Sequence, residues 1–220
     1  GTEAVFKALR IAKAISRKNI IISVTGSWHG SADKLLFHRR NGQILPVSDG
    51  LNETDRKNIK IIDYNDVEKT KKVLNKFKNR ISCIIIEPIQ GCLPDPQIKK
   101  YLKFLSNFSK KNNCILIFDE ITSGFHDHYG GIHLKYKVFP DMAIFGKSIA
   151  NGYPISAIIG KRKIMNKAQE SFISSTMWTD RIGFVAAIAT LEVMKKNKVQ
   201  KKIIKYGKYI KKRWSFISKT

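Results

Sequence analysis

Three chemically reactive side chains stand at the ends of apolar segments of the sequence. The segment ISCIIIE ends at Glu87, CILIFD ends at Asp119, and DMAIF is followed by Gly146 and Lys147. Short apolar segments of this kind are typical of buried β-strands. In an open parallel sheet, ligands bind beyond the carboxyl ends of the strands. The sequence therefore predicts that two carboxylates and one amine meet at one edge of a sheet.

The tripeptide Gly146-Lys147-Ser148 also matches the end of a phosphate-binding P-loop, and CILIFDE matches the strand that carries a magnesium-binding acid in nucleotide hydrolases. A P-loop needs another glycine five residues before the glycine of Gly-Lys-Ser. That position is Asp141, and the residues between, MAIF, have the pattern of a strand and not of a flexible loop. This mismatch argues against nucleotide hydrolysis.

Lys147 and Asp119 together suit a different cofactor, pyridoxal 5'-phosphate. Its aldehyde needs a lysine amine with which it forms an imine, and its pyridine nitrogen needs an acid that keeps it protonated. It also needs amides and hydroxyls for its phosphate and a flat side chain against its ring. Because the lysine and the acid follow separate strands that end at the same edge, we expect pyridoxal 5'-phosphate as the cofactor.

Helical and strand patterns alternate along the chain. Residues 2–18 form a predicted helix with Val5, Leu9, Ala12 and Ile15 on one stripe. Further helices are predicted over 65–78, 96–112, 181–197 and 199–216, and strands over 19–24, 59–63, 81–87, 114–119, 141–145 and 155–160. Strands that are apolar on both faces and separated by helices indicate a mostly parallel sheet covered on both sides. The predicted architecture is a three-layer α/β fold.

Local signals mark several boundaries within this pattern. Residues 39–58 are polar, carry turn-forming residues and are expected to form a loop or excursion. Asn65 is the expected N-cap of the helix over 65–78, and Pro96 is expected to open the next helix.

The chain of 220 residues has a formal net charge of +24, which suggests nucleic acid as a partner. Its lysines are scattered over several predicted helices and are not concentrated in one arm. Such scatter is typical of solvated helix faces. The distribution argues against nucleic acid, although a basic nucleic-acid-binding module stays open as an alternative.

Location and metal content are also constrained by the sequence. No apolar run approaches the roughly 20 residues needed to cross a bilayer, and no basic-then-apolar leader opens the sequence. The three cysteines have neither metal nor disulfide spacing, which is typical of a reducing compartment. His126 and His128 share one loop without a further ligand pattern. We expect a cytoplasmic protein with no metal and no membrane partner.

Six blocks of the sequence resemble consecutive blocks of the class III aminotransferases, in that family's order and over nearly the whole chain. The blocks are GTEAVFKALRIAKA, GSWHGSAD, IIIEPIQG, LIFDEITSGF, PDMAIFGKSIANGYPISAIIG and STMWTDRIGFVAAIATLEVM. The resemblance is nearest to the glutamate-1-semialdehyde 2,1-aminomutase branch and its aminotransferase relatives. The sequence of the block STMWTDRIG differs from the sequence usual at this place in the aminomutase. This difference favours an aminotransferase relative. The resemblance implies the large domain of the pyridoxal-phosphate-dependent transferase fold, known as fold type I.

The resemblance also implies roles for single residues. Lys147 corresponds to the lysine that holds pyridoxal 5'-phosphate covalently and later shuttles the proton. Asp119 corresponds to the partner of the pyridine nitrogen. Ile121 corresponds to the aliphatic residue on one face of the ring, and Trp28 to the aromatic residue on the other.

The remaining roles implied by the resemblance concern the phosphate and the surroundings of the ring. Gly1 and Thr2 correspond to the phosphate-binding turn at a helix N-terminus. Thr176 corresponds to a hydroxyl that reaches the phosphate in the neighbouring subunit, which implies a homodimer with shared active sites. His29 is either a structural hydrogen-bonding residue beside the ring or an acid–base group. Glu87 is a candidate for support of the site.

Members of the family are about twice as long as this chain. Residues 1–197 are therefore expected to form the cofactor-binding large domain, truncated at its N-terminus, and residues 198–220 a helix leading toward an absent C-terminal domain. Trp178 and Phe184 are expected in an interface or in the core.

The function implied by the resemblance is the transfer of an amino group between an amine or amino acid and a carbonyl compound, with Lys147 as the covalent anchor of the cofactor. Three alternatives stay open. The amino group could move within one molecule, as in the aminomutase. The chain could bind nucleic acid, or it could be an inactive fragment.

Overall fold

The computed structural model describes residues 1–95 and 97–218. The helices are α1 (Thr2–Ser16), α2 (Glu53–Asn58), α3 (Val67–Phe77), α4 (Lys99–Asn112), α5 (Ile132–Tyr136), α6 (Arg162–Ala168), α7 (Arg181–Lys196) and α8 (Val199–Ile217). The strands are β1 (Ile20–Val24), β2 (Phe37–Arg40), β3 (Gln43–Pro46), β4 (Ile59–Ile62), β5 (Ile81–Ile86), β6 (Ile115–Asp119), β7 (Met142–Phe145) and β8 (Ala157–Gly160). Each predicted strand and helix forms close to its expected bounds.

In the described ranges, six strands form one sheet in the order β4-β1-β5-β6-β7-β8. Parallel pairs run from β4 through β1, β5 and β6 to β7, and β8 closes the edge antiparallel to β7. The predicted, mostly parallel sheet is therefore confirmed. The carboxyl ends of the parallel strands lie at one edge, where the sequence places its acids and its lysine.

The central strands are buried on both faces, and helices cover each face. On one face, Cys83 and Ile85 of β5 pack in the same core as the buried side of α1. On the other face, Ile84 and Ile86 pack with Tyr101 and other residues of α3 and α4. Burial of one isoleucine side chain contributes about 1.5–3 kcal/mol. These two cores confirm the three-layer architecture.

Residues 39–58 form an excursion from the main sheet and not a loop, because they contain most of a separate β-hairpin, which begins at Phe37, and the helix α2. β2 and β3 pair antiparallel, with Arg40 opposite Gln43. Asn41 and Gly42 form the two-residue turn with φ angles of 50° and 77°. Asn-Gly favours this turn because both residues tolerate positive φ. The polar composition of the segment masked this local signal.

The helix α3 begins after Asp66, and the expectation that Asn65 is its N-cap was wrong. The carboxylate of Asp66 accepts a hydrogen bond from the backbone N–H of Lys69 at 2.9 Å. Asn65 instead has a left-handed φ of 56°. Asparagine and aspartate both cap helices well. The backbone conformation therefore determines which of the two residues is the N-cap. The expected helix-opening residue Pro96 lies outside the described residues.

The helical lysines lie mainly on solvent-exposed faces. Lys71 and Lys72 of α3 and Lys103 and Lys110 of α4 are all exposed, and α8 has no buried residue. This distribution is the one that solvated helix faces require. None of the helices in the described part of the chain combines the length and apolarity needed to cross a bilayer.

The loop between β6 and α5 is anchored by the buried carboxylate of Glu120. It accepts hydrogen bonds from Ser123 Oγ at 2.9 Å, from the Ile132 N–H at 2.9 Å and from the His133 N–H at 3.2 Å. The His133 ring approaches it through Nδ1 at 2.8 Å. A Cβ atom at Gly131 would collide with Glu120 Oε1 and His133 Nδ1. The loop that follows Asp119 is therefore held by a satisfied buried carboxylate.

The variant Gly131→Ala is expected to lower the free energy of unfolding by about 1–3 kcal/mol, because overpacking disrupts the bonds to Glu120. Gly207→Ala is the matched control, since a Cβ there meets nothing within 4 Å in the middle of α8. That change should be neutral or stabilising by up to about 1 kcal/mol. Urea unfolding measures both, and equal midpoints for the two variants would contradict the packing described.

Candidate active site

The predicted acids and lysine lie at the carboxyl ends of three adjacent parallel strands. Glu87 follows β5, Asp119 ends β6, and Lys147 follows β7 after one glycine. Glu87 and Asp119 are 4% and 2% exposed, whereas the Lys147 side chain is exposed. The edge therefore presents an accessible amine next to two buried carboxyl groups.

Asp119 is held by two hydrogen bonds. Its Oδ2 lies 2.7 Å from His29 Nδ1, and its Oδ1 accepts from the Ile121 N–H at 3.1 Å. With Asp119 ionised, His29 Nδ1 carries the hydrogen and donates it. The other ring nitrogen, His29 Nε2, is buried and has no hydrogen-bond partner among the described residues. His29 therefore orients the carboxylate and leaves one buried polar atom unsatisfied.

Glu87 positions the turn that carries Trp28. Its Oε2 accepts a hydrogen bond from the Trp28 N–H at 2.9 Å. Gln90 supports the same turn, because its Nε2 donates to Thr25 O at 2.7 Å and Ser27 Oγ at 3.1 Å. The Trp28 side chain itself is 60% exposed. Two side chains that follow β5 thus hold the backbone from which Trp28 projects.

Burial and the neighbouring polar groups change the pKa of Glu87 at this edge. Burial raises the pKa of Glu87 above its ordinary value, and the nearby Asp119 carboxylate raises it further. The hydrogen bond from Trp28 and the charges of His29 and Lys147 act in the opposite direction. Glu87 therefore interacts electrostatically with all three polar members of the site.

Lys147 has a strained backbone that its neighbours hold in place. Its φ of 44° lies in the left-handed region, which non-glycine residues seldom adopt. Its Nζ donates to Thr122 Oγ1 at 2.8 Å. The adjacent Ser148 Oγ donates to Gly124 O at 2.9 Å. The loop after β6 therefore restrains both the side chain and the backbone around Lys147.

Ile121 lies between the start of α1 and the residue before Lys147. A Cβ at Gly1 would lie 3.0 Å from Ile121 Cδ1, and one at Gly146 would lie 3.4 Å from Ile121 Cγ2. Both glycines therefore allow the isoleucine to approach the backbone closely. This places an aliphatic surface between the helix N-terminus and the lysine.

The N-terminus of α1 faces the same region and has no side-chain cap at Gly1. Thr2 Oγ1 accepts a hydrogen bond from the Ser31 N–H at 3.2 Å. Gly30 has a φ of 72°, and a Cβ there would collide with Thr2 Oγ1. The turn after His29 is therefore packed directly against the start of α1, and the uncapped first amides favour an anion.

A cleft of about 840 Å³ opens at this edge. Gly1, Lys147 and Thr176 are among its lining residues, and Tyr153 and Ser156 contribute from the segment after the lysine. Thr176 therefore lies in the same cleft as Lys147 of its own chain.

Trp178 and Phe184 border an adjoining apolar cavity. They are 50% and 53% exposed, so the core alternative for these two residues was wrong for this chain. Lys7 Nζ lies 5.3 Å from the ring centre of Trp178. No group of three or more His, Cys, Asp or Glu side chains arranged for a metal occurs among the described residues.

Three polar residues next to the site were not predicted from the sequence, namely Gln90, Thr122 and Ser148. Each lies within a few residues of a strand end, and this position is the sequence feature that could have pointed to the site. Their hydrogen-bond partners are remote in the chain, at separations of 65, 25 and 24 residues. The sequence pattern alone therefore could not single them out.

The chain matches the family model described as aminotransferase class-III over residues 1–220. It therefore belongs to the class-III aminotransferase family. This agrees with the order of the six sequence blocks and with the amine and acid at the sheet edge.

Relatives of the chain include two proteins named glutamate-1-semialdehyde 2,1-aminomutase. That of Methanosphaera stadtmanae is 35% identical over 218 residues, which cover 96% of this chain and 51% of the relative. That of Methanocaldococcus jannaschii is 36% identical over 199 residues, covering 87% of this chain and 47% of the relative. The chain thus spans about half the length of these relatives.

Solved structures share the fold. One described as a transaminase with PLP bound superposes with a TM-score of 0.80 at 27% identity, covering 88% of this chain and 48% of that one. An omega-transaminase from Sphaerobacter thermophilus gives a TM-score of 0.80 at 24% identity, covering 88% of this chain and 48% of that one. The predicted transferase fold is therefore confirmed.

Glu87→Gln is expected to change the pH dependence of stability. Because the pKa of Glu87 is raised in the folded state from about 4.5, the folded state binds this proton more tightly than the unfolded chain does. The free energy of unfolding of the wild type should therefore fall, relative to the glutamine variant, as pH rises above 4.5. The difference should level off once the folded-state pKa is passed.

Chemical unfolding at several pH values between 4 and 8 measures this difference. Glu192→Gln on the exposed surface of α7 controls for the loss of one negative charge. A constant difference between wild type and Glu87→Gln across this range would contradict the effect of burial on Glu87.

Proposed function

We propose that this chain forms the cofactor-binding part of a pyridoxal-phosphate enzyme that moves an amino group between an amine or amino acid and a carbonyl compound. The observation that carries the proposal is the placement of the Lys147 amine and the buried Asp119 carboxylate at the ends of neighbouring strands. Membership of the class-III aminotransferase family supports it.

The residues at this edge of the sheet fit pyridoxal 5'-phosphate. A buried carboxylate, that of Asp119, suits a protonated ring nitrogen, because an adjacent cation satisfies the buried charge. Ile121 provides an aliphatic surface beside the lysine for one face of the ring. Trp28, held by Glu87 through its backbone, would provide the aromatic surface for the other face.

The phosphate would bind at the N-terminus of α1. The amides that follow Gly1 lack a side-chain cap, and the helix dipole favours an anion there. Thr2 Oγ1 already accepts a hydrogen bond from Ser31, so its own hydroxyl hydrogen is free to point at a phosphate oxygen. These groups are the amide and hydroxyl donors that a phosphate requires.

When bound, the cofactor supplies an electron sink for negative charge on the substrate carbon next to the nitrogen. Lys147 Nζ would anchor the cofactor and, once a substrate amine displaces it, would take the proton from that carbon and return it to a carbon of the cofactor. Asp119 would keep the ring nitrogen protonated. His29 would act on Asp119, since the Nδ1 contact at 2.7 Å fixes the orientation of the carboxylate.

We also propose that two copies of the chain form a homodimer in which Thr176 of one copy reaches the phosphate site of the other. The apolar residues of α7 and the segment before it support this proposal, because many are half exposed or more. They are Met177, Trp178, Ile182, Phe184, Val185, Ile188 and Val193. An exposed apolar surface of this kind marks an interaction site.

Residues 1–197 are proposed as the cofactor-binding domain, with the helix that follows leading toward a second domain. The support is that α8 contributes no buried residue, whereas α1 and α4 each bury a row of residues and α3 buries Thr70 and Leu74. The half-length coverage of the relatives is consistent with this division.

A second candidate function is the intramolecular transfer of an amino group. It is favoured by the relatives at 35% and 36% identity, both of which are named aminomutases. The residues proposed here serve either reaction, because both need the same amine, acid and phosphate site.

Product analysis with the protein expressed from its complete coding sequence separates the two reactions. Turnover of a single amino aldehyde without a second carbonyl compound would identify the mutase. A strict requirement for a keto acid or aldehyde acceptor would identify the transferase.

Lys147→Ala is expected to abolish the visible absorption band that pyridoxal 5'-phosphate gives when bound covalently to a lysine. It should also reduce amino transfer to background, because both the anchor and the proton carrier are removed. Lys163→Ala, at an exposed position of α6, is the control and should retain the band. Borohydride reduction of the loaded wild type followed by peptide mapping should label the peptide that contains Lys147, and a label elsewhere would refute the assignment.

Thr176→Val is expected to weaken binding of pyridoxal 5'-phosphate about tenfold through the loss of one hydrogen bond to a charged group. A hybrid dimer of Lys147→Ala and Thr176→Val protomers tests which subunit supplies the hydroxyl. If Thr176 acts across the interface, one site of the hybrid contains both native residues and binds the cofactor with wild-type affinity. Weak binding at every site of the hybrid would place Thr176 in its own subunit's site.

A further inference from the structure

Thr122 stands beside the active-site lysine without a role in the function proposed above. Its Oγ1 accepts a hydrogen bond from Lys147 Nζ at 2.8 Å. The two residues belong to different segments, the loop after β6 and the turn after β7. A threonine hydroxyl is therefore the direct partner of the amine.

The loop that carries Thr122 is rigidly built. The Ile121 N–H donates to Asp119 Oδ1 at 3.1 Å, and the Gly124 N–H donates to Glu120 O at 2.8 Å. Gly124 O in turn accepts from Ser148 Oγ at 2.9 Å. On its other side, Thr122 Cγ2 lies 3.7 Å from the Cβ position of Gly91. The hydroxyl is thus held at a defined place relative to both Asp119 and the lysine backbone.

The bond to Thr122 adds little to the stability of the fold. The pair is exposed, and a hydrogen bond between exposed groups replaces bonds to water with little net gain. A lysine side chain that is free to rotate samples many rotamers, and ordering it costs conformational entropy. Restraint of the amine before the reaction removes part of that entropic barrier. The contact therefore matters for where the amine points.

We propose that Thr122 is a positioning residue for Lys147 and holds its amine whenever Nζ is not bonded to cofactor carbon. This inference rests on the proposed function. To attach the cofactor, Nζ would have to reach the aldehyde carbon, where the carbon–oxygen bond would break and the oxygen would leave as water with the two amine hydrogens. To transfer a proton later, Nζ, displaced by the substrate amine, would have to reach the substrate carbon. Both steps require the amine to lie within reach, and the Thr122 hydroxyl keeps it there.

The variants Thr122→Val and Thr122→Ser test this role in the protein expressed from its complete coding sequence. Valine keeps the shape but lacks the hydroxyl, whereas serine keeps the hydroxyl. Thr54→Val, at an exposed position of α2, is the matched control. Thermal unfolding of the cofactor-free proteins should give the same midpoint for wild type and Thr122→Val.

The first measurement mixes cofactor-free protein with pyridoxal 5'-phosphate in a stopped-flow instrument. Thr122→Val should slow the concentration-independent phase, in which the visible band forms, about tenfold. It should leave the concentration-dependent binding phase unchanged. Thr122→Ser and Thr54→Val should behave like the wild type within about twofold. A band that forms in Thr122→Val at the wild-type rate overturns the role of Thr122 and leaves the proposed function intact.

The second measurement compares an amino donor with its α-deuterated form in a single turnover. In Thr122→Val the Lys147 amine is misplaced, so proton transfer is slower and the deuterium isotope effect should rise above that of the wild type. Thr122→Ser should return the isotope effect to the wild-type value. An unchanged isotope effect would mean that Thr122 does not position the amine for proton transfer. A wild type that forms no band at all would instead overturn the proposed function, and the role of Thr122 with it.

Discussion

The hydrogen-bonded register between β6 and β7 is the constraint on which the site depends. Asp119 lies opposite Ile144, and the Glu120 N–H donates to Ile144 O at 2.8 Å. Lys147 follows Ile144 by three residues. The separation of acid and amine is therefore set by backbone bonds in the middle of the sheet. A slip of one residue would turn the side chains of β6 to opposite faces and would remove Asp119 from His29.

Three carboxyl groups lie at or beside this edge of the sheet. Each forms hydrogen bonds to a different part of the site. Glu120 binds Ser123 and the start of α5, so it closes the loop that follows Asp119. Glu87 binds the backbone of the turn that carries Trp28. Asp119 alone is paired with a histidine that still has an unsatisfied nitrogen. Buried charges are costly unless they are hydrogen-bonded, and here two carboxylates build the frame in which the third is presented.

Local sequence signals predicted much of the fold but misplaced some boundaries. The apolar runs of β5 and β6 were recognisable because both faces of a central strand are buried. The Asn41-Gly42 hairpin was missed, although its turn signal was present, because its strands are polar and partly exposed. The short helices α5 and α6, of 5 and 7 residues, are too short to show an apolar period. The N-cap of α3 depended on the φ of Asn65, which residue type alone does not determine.

The sequence by itself determined the three-layer class, the order of the strands along the chain and the presence of Asp119 and Lys147 at strand ends. These depend on the polarity of neighbouring residues, which any reader of the chain can see. Only the tertiary structure decided that His29 meets Asp119 across 90 residues, that Glu87 holds Trp28 across 59 and that Thr122 receives the Lys147 amine across 25. Contacts of this kind depend on how strands and loops pack in space, since hydrogen bonds form between atoms that are close in the fold and not between residues that are close in the chain.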